Sequence, residues 1–340
     1  MRPGEPAQQV ASSRPSLLEV VDLDLAFQTP RGRVLALRDV SLAVQPGEIV
    51  GVVGESGSGK STLAYTVMGL LAENAEVTGG AIPFEGRDLL SMTAEKRRRL
   101  LGNRMSMIFQ DPTTALNPVR SIEKQMIDIQ HHQGGSRREK RRRAIEMLER
   151  VGIPDPQSRI GGYAHEFSGG MRQRICIAMA LLVKPALLIA DEPTTALDAT
   201  LEVQIIHLLK DLQREIGCSI IFVSHHLGTV AELCDRVAVM YAGEMVEYGT
   251  VRQIFHHPGH PYTKALLECD PGRIRTKTRV LPTIPGEVPN LVEPPSGCIF
   301  RERCPHSFDR CVTEVPAPRD LAPTQWARCH LLDDAAEAPA

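Results

Sequence analysis

The stretch GESGSGKST at 54–62 has the residue types and spacing to hold a polyphosphate. It satisfies G-x-x-x-x-G-K-[ST] in full, follows the apolar run EIVGVVG and precedes the helix-forming run TLAYTVMGLL. That strand–loop–helix context is what the phosphate-binding loop requires. Gly54, Gly57 and Gly59 let the backbone turn its N–H groups onto phosphate oxygens, with Glu55, Ser56, Ser58 and Thr62 completing the cradle. Lys60 supplies a point charge at the β- and γ-phosphates, and the Ser61 hydroxyl is a ligand for Mg²⁺. A nucleotide and Mg²⁺ are therefore the expected ligands; the loop alone says no more than that.

A second cluster matches the first. The run ALLIAD ends on Asp191, which at the tip of a buried strand can hold Mg²⁺, and Glu192 follows where a general base for an attacking water belongs. EIVGVVG, ALLIAD and SIIFVSH (219–225) all read as buried strands ending at residues with chemistry to perform. Residues 17 to about 250 alternate such runs with helix-period segments, so the fold class is α/β. Residues from 112 onward are Arg-rich and helix-forming, an inserted helical subdomain over about 112–180. The chain divides into a tail (1–16), a nucleotide-binding domain (17–255) and a Pro-rich, Cys-rich extension (256–340) that is expected to be small and irregular.

Composition narrows the setting. The chain has 340 residues, 42% hydrophobic and 24% charged, with a formal net charge of −2. That balance gives no global argument for nucleic acid or an anionic surface. No run approaches a bilayer span, and the N-terminal stretch lacks the apolar core of a signal peptide. A cytosolic setting is expected, with the N-terminal tail disordered. The basic runs EKRRR (95–99) and RREKRRR (137–143) read as solvated helix faces.

With these motifs in hand, the chain resembles the ABC ATPases. FSGGMRQR (167–174) is similar to their signature sequence, IFQDP (108–112) to the Q-loop, TALD (195–198) to the D-loop and VSHH (223–226) to the histidine switch, all in family order. The resemblance implies a P-loop ABC ATPase domain with a RecA-like core. It puts Gln110 near Mg²⁺ and the attacking water, His225 on the γ-phosphate, Phe27 against adenine, and Asp198 at the dimer face of the nucleotide site. Ser168, Gly169 and Gly170 would close over a partner subunit's ATP, because a helix N-terminus with a hydroxyl and two glycines is an anion site. A head-to-tail dimer with a second ABC ATPase subunit, identical or paralogous, follows from that implication. His226 departs from the family, which usually has Asp after the switch histidine.

The finer resemblance is to ATP-binding subunits of oligopeptide/dipeptide ABC importers. It rests on FQDPTTALNPV, YAHEFSGGMRQRICIAMAL, DRVAVMYAGEMVEYG and above all the tail HPGHPYTKALL…IPGEVPNLVEPPSGCIFRERC. It implies peptide import driven from the cytoplasmic face of the membrane, beneath two permease subunits fed by an external binding protein. Nickel, glutathione-like thiols and sugars are alternative cargoes within the family. A soluble ABC ATPase acting on nucleic acid or the ribosome is the rival, but tandem domains and a long coiled coil are both missing here.

The tail cysteines Cys298, Cys304, Cys311 and Cys329 are spaced C-x5-C-x6-C-x17-C. The spacing is looser than zinc ribbons or common ferredoxin runs use. The favoured expectation is a [4Fe–4S] cluster with Arg301 and Arg303 offsetting its charge and His306 and His330 at hand; zinc, a reversible disulfide and inert packing are the alternatives. Cys176, Cys218 and Cys234, in apolar contexts, read as buried small hydrophobes. Cys269 receives no role.

Overall fold

The computed structural model of the chain describes residues 15–195, 197–273 and 281–333. The expected N-terminal tail lies outside the described residues except for its last two positions. The chain starts with two long strands, β1 (Leu18–Thr29) and β2 (Gly32–Val44), followed by the short β3 (Ile49–Val53). Strands β4 (Ala75–Ala81), β5 (Pro83–Phe84), β6 (Arg87–Asp88) and β7 (Met105–Ile108) come next. The remainder are β8 (Leu187–Asp191), β9 (Ser219–Val223), β10 (Arg236–Tyr241), β11 (Glu244–Thr250), β12 (Pro318–Ala322) and β13 (Gln325–Arg328). One sheet runs β2-β1-β5-β6 with β4 also on β1; the other runs β12-β13-β11-β10-β3-β9-β8-β7.

The centre of the larger sheet is parallel, with β10, β3, β9, β8 and β7 in one direction. Every residue of β3, β8 and β9 is buried, which explains why they read as unbroken apolar runs rather than alternating ones. Their side chains nonetheless alternate between two cores. Ile49, Val53, Ile220 and Phe222 face one, with the helical layer and Leu209 and Ile206 of the helix Ala199–Ile216. Val50, Val52, Ile221 and Val223 face the other, with Leu63 and Val67 of the helix Lys60–Met68 and the apolar residues of β1 and β2. Burying each such side chain contributes roughly 1.5–3 kcal/mol.

A helical layer lies between β7 and β8 in the chain. Helices Ile122–Asp128, Arg137–Arg150 and Gly169–Leu182 pack through Met126, Met147, Leu148 and Ile175. Ser136 and Glu139 form a capping box that starts the second of these. Its basic run is a helix face, as expected: Arg141 pairs with Glu123 at 2.9 Å, Arg143 donates to Gln130 at 2.9 Å, and Arg137, Arg138 and Arg142 are exposed.

The extension differs from the expectation of an irregular appendage. Its last residues form the hairpin β12–β13, which joins the central sheet through β11 with Glu247 opposite Ala327 and Tyr248 opposite Trp326. The strands escape sequence reading because β13 has four residues and β12 is almost wholly exposed. A fully buried carboxylate fixes the joint. Glu247 accepts from the backbone N–H groups of Gly259 (2.7 Å) and His260 (3.0 Å) and from Nε2 of Gln325 (3.0 Å). Charge-assisted bonds of this kind are about twice as strong as neutral ones.

Candidate nucleotide-binding site

The phosphate loop is built by close backbone packing. Gly54 has φ +151°, and a Cβ there would lie 2.1 Å from the Met240 carbonyl oxygen, so only glycine fits. Gly59 has φ +98° and would press on the Ala36 carbonyl. The buried Lys60 ammonium donates to the carbonyls of Gly54 (2.8 Å) and Glu55 (2.9 Å), curling over its own loop. Burial pulls its pKa down, opposed by the carboxylates of Glu192, Asp191 and Glu55. Ser61 and Thr62 start the helix Lys60–Met68 immediately after.

Strand β8 delivers the acids. Oδ1 of Asp191 accepts from the Ser61 hydroxyl at 2.9 Å, while its Oδ2 is buried and has no hydrogen-bond partner. Burial raises the Asp191 pKa, and the Ser61 hydroxyl, then the Tyr65 hydroxyl and the Lys60 charge, offset part of that. A buried carboxylate beside a hydroxyl offers two oxygen donors of the kind a hard divalent cation takes, with water and phosphate oxygens left to complete the shell, so the residues present fit Mg²⁺. Ser61 and Asp191 would hold it, and when bound it would neutralise charge on the β- and γ-phosphate oxygens.

Glu192 sits at the centre of a converging set. Its backbone has φ 45°, a left-handed conformation costing a non-glycine residue about 1–2 kcal/mol, which turns the side chain off the strand axis. Its Oε2 accepts from Gln110 Nε2 at 3.0 Å and from the Thr195 hydroxyl at 2.9 Å, and lies 3.2 Å from His225 Nδ1. Thr195 carries no role in the sequence reading beyond lying in the D-loop; its contact with Glu192 comes from the tight turn after β8. His226 is turned away. Its Nδ1 lies 2.8 Å from Glu202, which also accepts from the Thr194 hydroxyl at 2.8 Å.

Other expected residues take distinct positions. The Phe27 ring, on β1, is half-buried against the second core. Asp198 caps the helix Ala199–Ile216, accepting from the N–H groups of Thr200 and Leu201, both at 3.0 Å. Ser168 caps the helix Gly169–Leu182, and a Cβ on Gly170 would press on Leu201. Among the described residues no hydrogen bond joins Ser168, Gly169 or Gly170 to the phosphate loop. Glu55 is engaged elsewhere: its N–H donates to the Tyr262 hydroxyl at 2.9 Å, and its carboxylate meets Arg303 at 2.7 and 3.0 Å. Nothing in the sequence signals that pair.

The tail thiols are gathered but unpaired. Cys298, Cys304, Cys311 and Cys329 are all free, so the disulfide alternative is not formed. Burial pushes Cys298 up to about 12, helped by the nearby Cys311, Cys329 and Cys304 thiols; burial raises Cys304 and Cys329 too. The backbone N–H groups of Phe300, His306 and Leu331 oppose that rise at Cys298, Cys304 and Cys329 respectively. Among the described residues, however, no group of three or more His, Cys, Asp or Glu is arranged to hold a metal ion. The arrangement of the sulfur atoms therefore lends no support to zinc, and none to a [4Fe–4S] cluster either. Cys176, Cys218 and Cys234 are buried small hydrophobes as expected; burial raises Cys176 to about 12 and Cys218 to about 11, and Cys234 as well.

Comparison with known proteins agrees with this geometry. Residues 37–195 match the ABC transporter family, and 246–311 match the oligopeptide/dipeptide transporter C-terminal region. The chain is 46% identical over 326 residues to the oligopeptide transport ATP-binding protein OppD of Salmonella typhimurium, covering 96% of each. It is also 46% identical over 322 residues to the dipeptide transport ATP-binding protein DppD of Escherichia coli, covering 94% of this chain and 98% of that one. Among solved structures, the dimeric post-hydrolysis ATP-binding cassette MJ0796 bound to ADP and phosphate aligns with a TM-score of 0.62 at 25% identity, over 69% of this chain and 99% of that chain. CbiO1 from Clostridium perfringens, part of an ABC transporter complex, aligns with a TM-score of 0.61 at 28% identity, over 72% and 92%. Motifs, fold and relatives agree: the chain belongs to the ATP-binding subunits of oligopeptide/dipeptide ABC transporters, an ABC-type ATPase.

Proposed function

We propose that this subunit hydrolyses ATP to power import of di- and oligopeptides through a separate membrane permease, acting peripherally at the cytoplasmic face. The observation that carries the reading is the Glu192 carboxylate, held by Gln110, Thr195 and His225 beside a complete phosphate loop. Three hydrogen-bonding neighbours fix its orientation, so one carboxylate can take the proton of a water attacking the γ-phosphate. Lys60 supplies positive charge at the β/γ bridge, and His225 contacts the γ-phosphate. Phe27 stacks on adenine, while backbone N–H groups of Ser56, Gly57, Ser58, Gly59 and Thr62 take phosphate oxygens.

The signature residues Ser168, Gly169 and Gly170 serve the ATP of a second ABC ATPase, identical or paralogous, in a head-to-tail pair. In support, they form a helix N-terminus with no hydrogen bond to this chain's own loop, and Asp198 lies at the start of the helix that Gly170 packs against. The translocation path belongs to two permease subunits, fed by an extracytoplasmic binding protein; the match to oligopeptide and dipeptide transport ATP-binding proteins supports this. The test is reconstitution with its permease in vesicles. ATP-dependent uptake of a labelled dipeptide that outlasts Glu192→Gln overturns the mechanism; uptake of nickel, glutathione or a sugar in place of peptides overturns the cargo.

The four tail thiols support a further assignment, a [4Fe–4S] cluster. Its support is the set of four free cysteines within one part of the extension and a loose spacing suited to a bulky cube. Protein purified without oxygen is expected to contain iron and acid-labile sulfide, with visible absorbance lost in Cys304→Ser. A colourless, iron-free chain with full ATPase activity removes the assignment.

A further inference from the structure

Arg303 is the least expected neighbour of the phosphate loop. Its side chain is 4% exposed, and it forks onto Glu55 through two N–H···O bonds, Nη1 to Oε2 at 2.7 Å and Nη2 to Oε1 at 3.0 Å. The guanidinium is otherwise saturated by the extension and the core. It donates to the carbonyls of Pro285 (2.9 Å) and Ile284 (3.0 Å) and to the Tyr241 hydroxyl (3.3 Å). Gly286, at φ +80°, lets the backbone pass the Arg303 stem: a Cβ there would sit 3.1 Å from its Cγ. The socket therefore holds the planar fork in one orientation, which an ammonium could not reproduce.

The same turn carries the thiols. Cys298 accepts from Arg301 N–H, Phe300 accepts from Arg303 N–H, and Cys304 follows directly. Phe300 is buried between the rings of Tyr241 and Tyr262, at 5.1 and 5.4 Å. Tyr262 is the residue whose hydroxyl takes the Glu55 N–H. One compact unit thus has two thiols on its turn and grips both the backbone and the carboxylate of a single loop residue.

We propose that Arg303 is a positioning residue for ATP: through Glu55 it holds the phosphate loop in its binding conformation, so that order in the thiol-bearing turn 298–304 and nucleotide binding depend on one another. The coupling is reciprocal by thermodynamic necessity. Whatever stabilises the turn tightens ATP binding, and bound ATP stabilises the turn. The inference rests on the nucleotide-binding reading above and adds to it a link between the extension and the site.

A double-mutant cycle on the full chain tests it. Arg303→Gln and Glu55→Gln are each expected to weaken ATP·Mg²⁺ binding about tenfold, and the double variant no more than either alone, because both remove one interaction. Arg303→Lys restores only part of the loss. Circular dichroism and thermal melting establish that each variant is folded. In the Glu192→Gln background, which prevents turnover, ATP·Mg²⁺ slows hydrogen exchange of residues 298–304 several-fold, and adding Arg303→Gln abolishes that protection at saturating nucleotide. Additive losses in the cycle, unchanged affinity in the single variants, or exchange protection that survives Arg303→Gln each overturn the proposal. Failure of the unaltered chain to bind ATP instead overturns the functional reading on which it rests.

Discussion

Nε2 of Gln110 donates to Oε2 of Glu192 across 3.0 Å, joining the ends of the adjacent strands β7 and β8. The bond orients the carboxylate towards the ends of the two strands. Glu192→Gln replaces that acceptor by an amide of the same shape. Phosphate release is expected to fall by about 10²–10⁴, with ATP affinity within a few-fold of the original. Undiminished release in single-turnover assays would show that another group takes the proton.

The unpartnered Oδ2 of Asp191 makes a separate prediction about the metal. In the native chain, Mg²⁺ added to saturating ATP raises the melting temperature by several degrees, because a ligand bound only to the folded state stabilises it. Asp191→Asn is expected to abolish that Mg²⁺ increment and keep the smaller shift from ATP alone. An equal increment in both proteins, read by differential scanning fluorimetry, argues that the cation is held elsewhere.

Two loop glycines are expected to differ. Gly54→Ala drives a Cβ to 2.1 Å from the Met240 carbonyl, a backbone atom that cannot move aside, and should cost about 4 kcal/mol or more. Gly57 has φ +77° with nothing within 4 Å of its missing Cβ, so Gly57→Ala carries only the left-handed penalty of about 1–2 kcal/mol. Urea unfolding of the two variants gives the ranking, and equal costs would contradict the packing described.

Acid stability has an identifiable source at His260. Burial lowers its pKa to about 3, the Lys264 charge adding to it, and its Nδ1 accepts the Tyr262 N–H, so the ring is neutral in the fold. The folded pKa is below the unfolded value of about 6.5. The contribution is therefore complete above pH 6.5 and is lost as pH falls towards 3, at about 1.4 kcal/mol per pH unit. His260→Asn keeps a capping oxygen and removes the titration. Between pH 6.5 and 5 the native chain should lose about 2 kcal/mol more than this variant in urea unfolding; parallel losses would place the acid sensitivity elsewhere.

The sequence by itself determined the parts whose signals are local. A phosphate loop is a run of φ-permissive glycines between a strand and a helix, and its chemistry is written in nine adjacent residues. Strands β3, β8 and β9 were readable because burial on two faces demands an unbroken apolar run. What only the tertiary structure decided are pairings between residues remote in the chain. Glu55 and Arg303 stand 248 positions apart, and neither side chain's local context shows that it has a partner. Glu202 takes up His226 where the departure from the family pattern left its role open. The hairpin β12–β13 acquires its place from an edge offered by β11, since a four-residue strand and its exposed neighbour are too short or too polar to show an apolar pattern. The cysteines show the same divide: their spacing marked them as a set, but the arrangement of their sulfur atoms depends on turns and on Phe300 packing against the core. Local backbone preference is encoded position by position, whereas a long-range contact exists only once the sheet has brought its partners together.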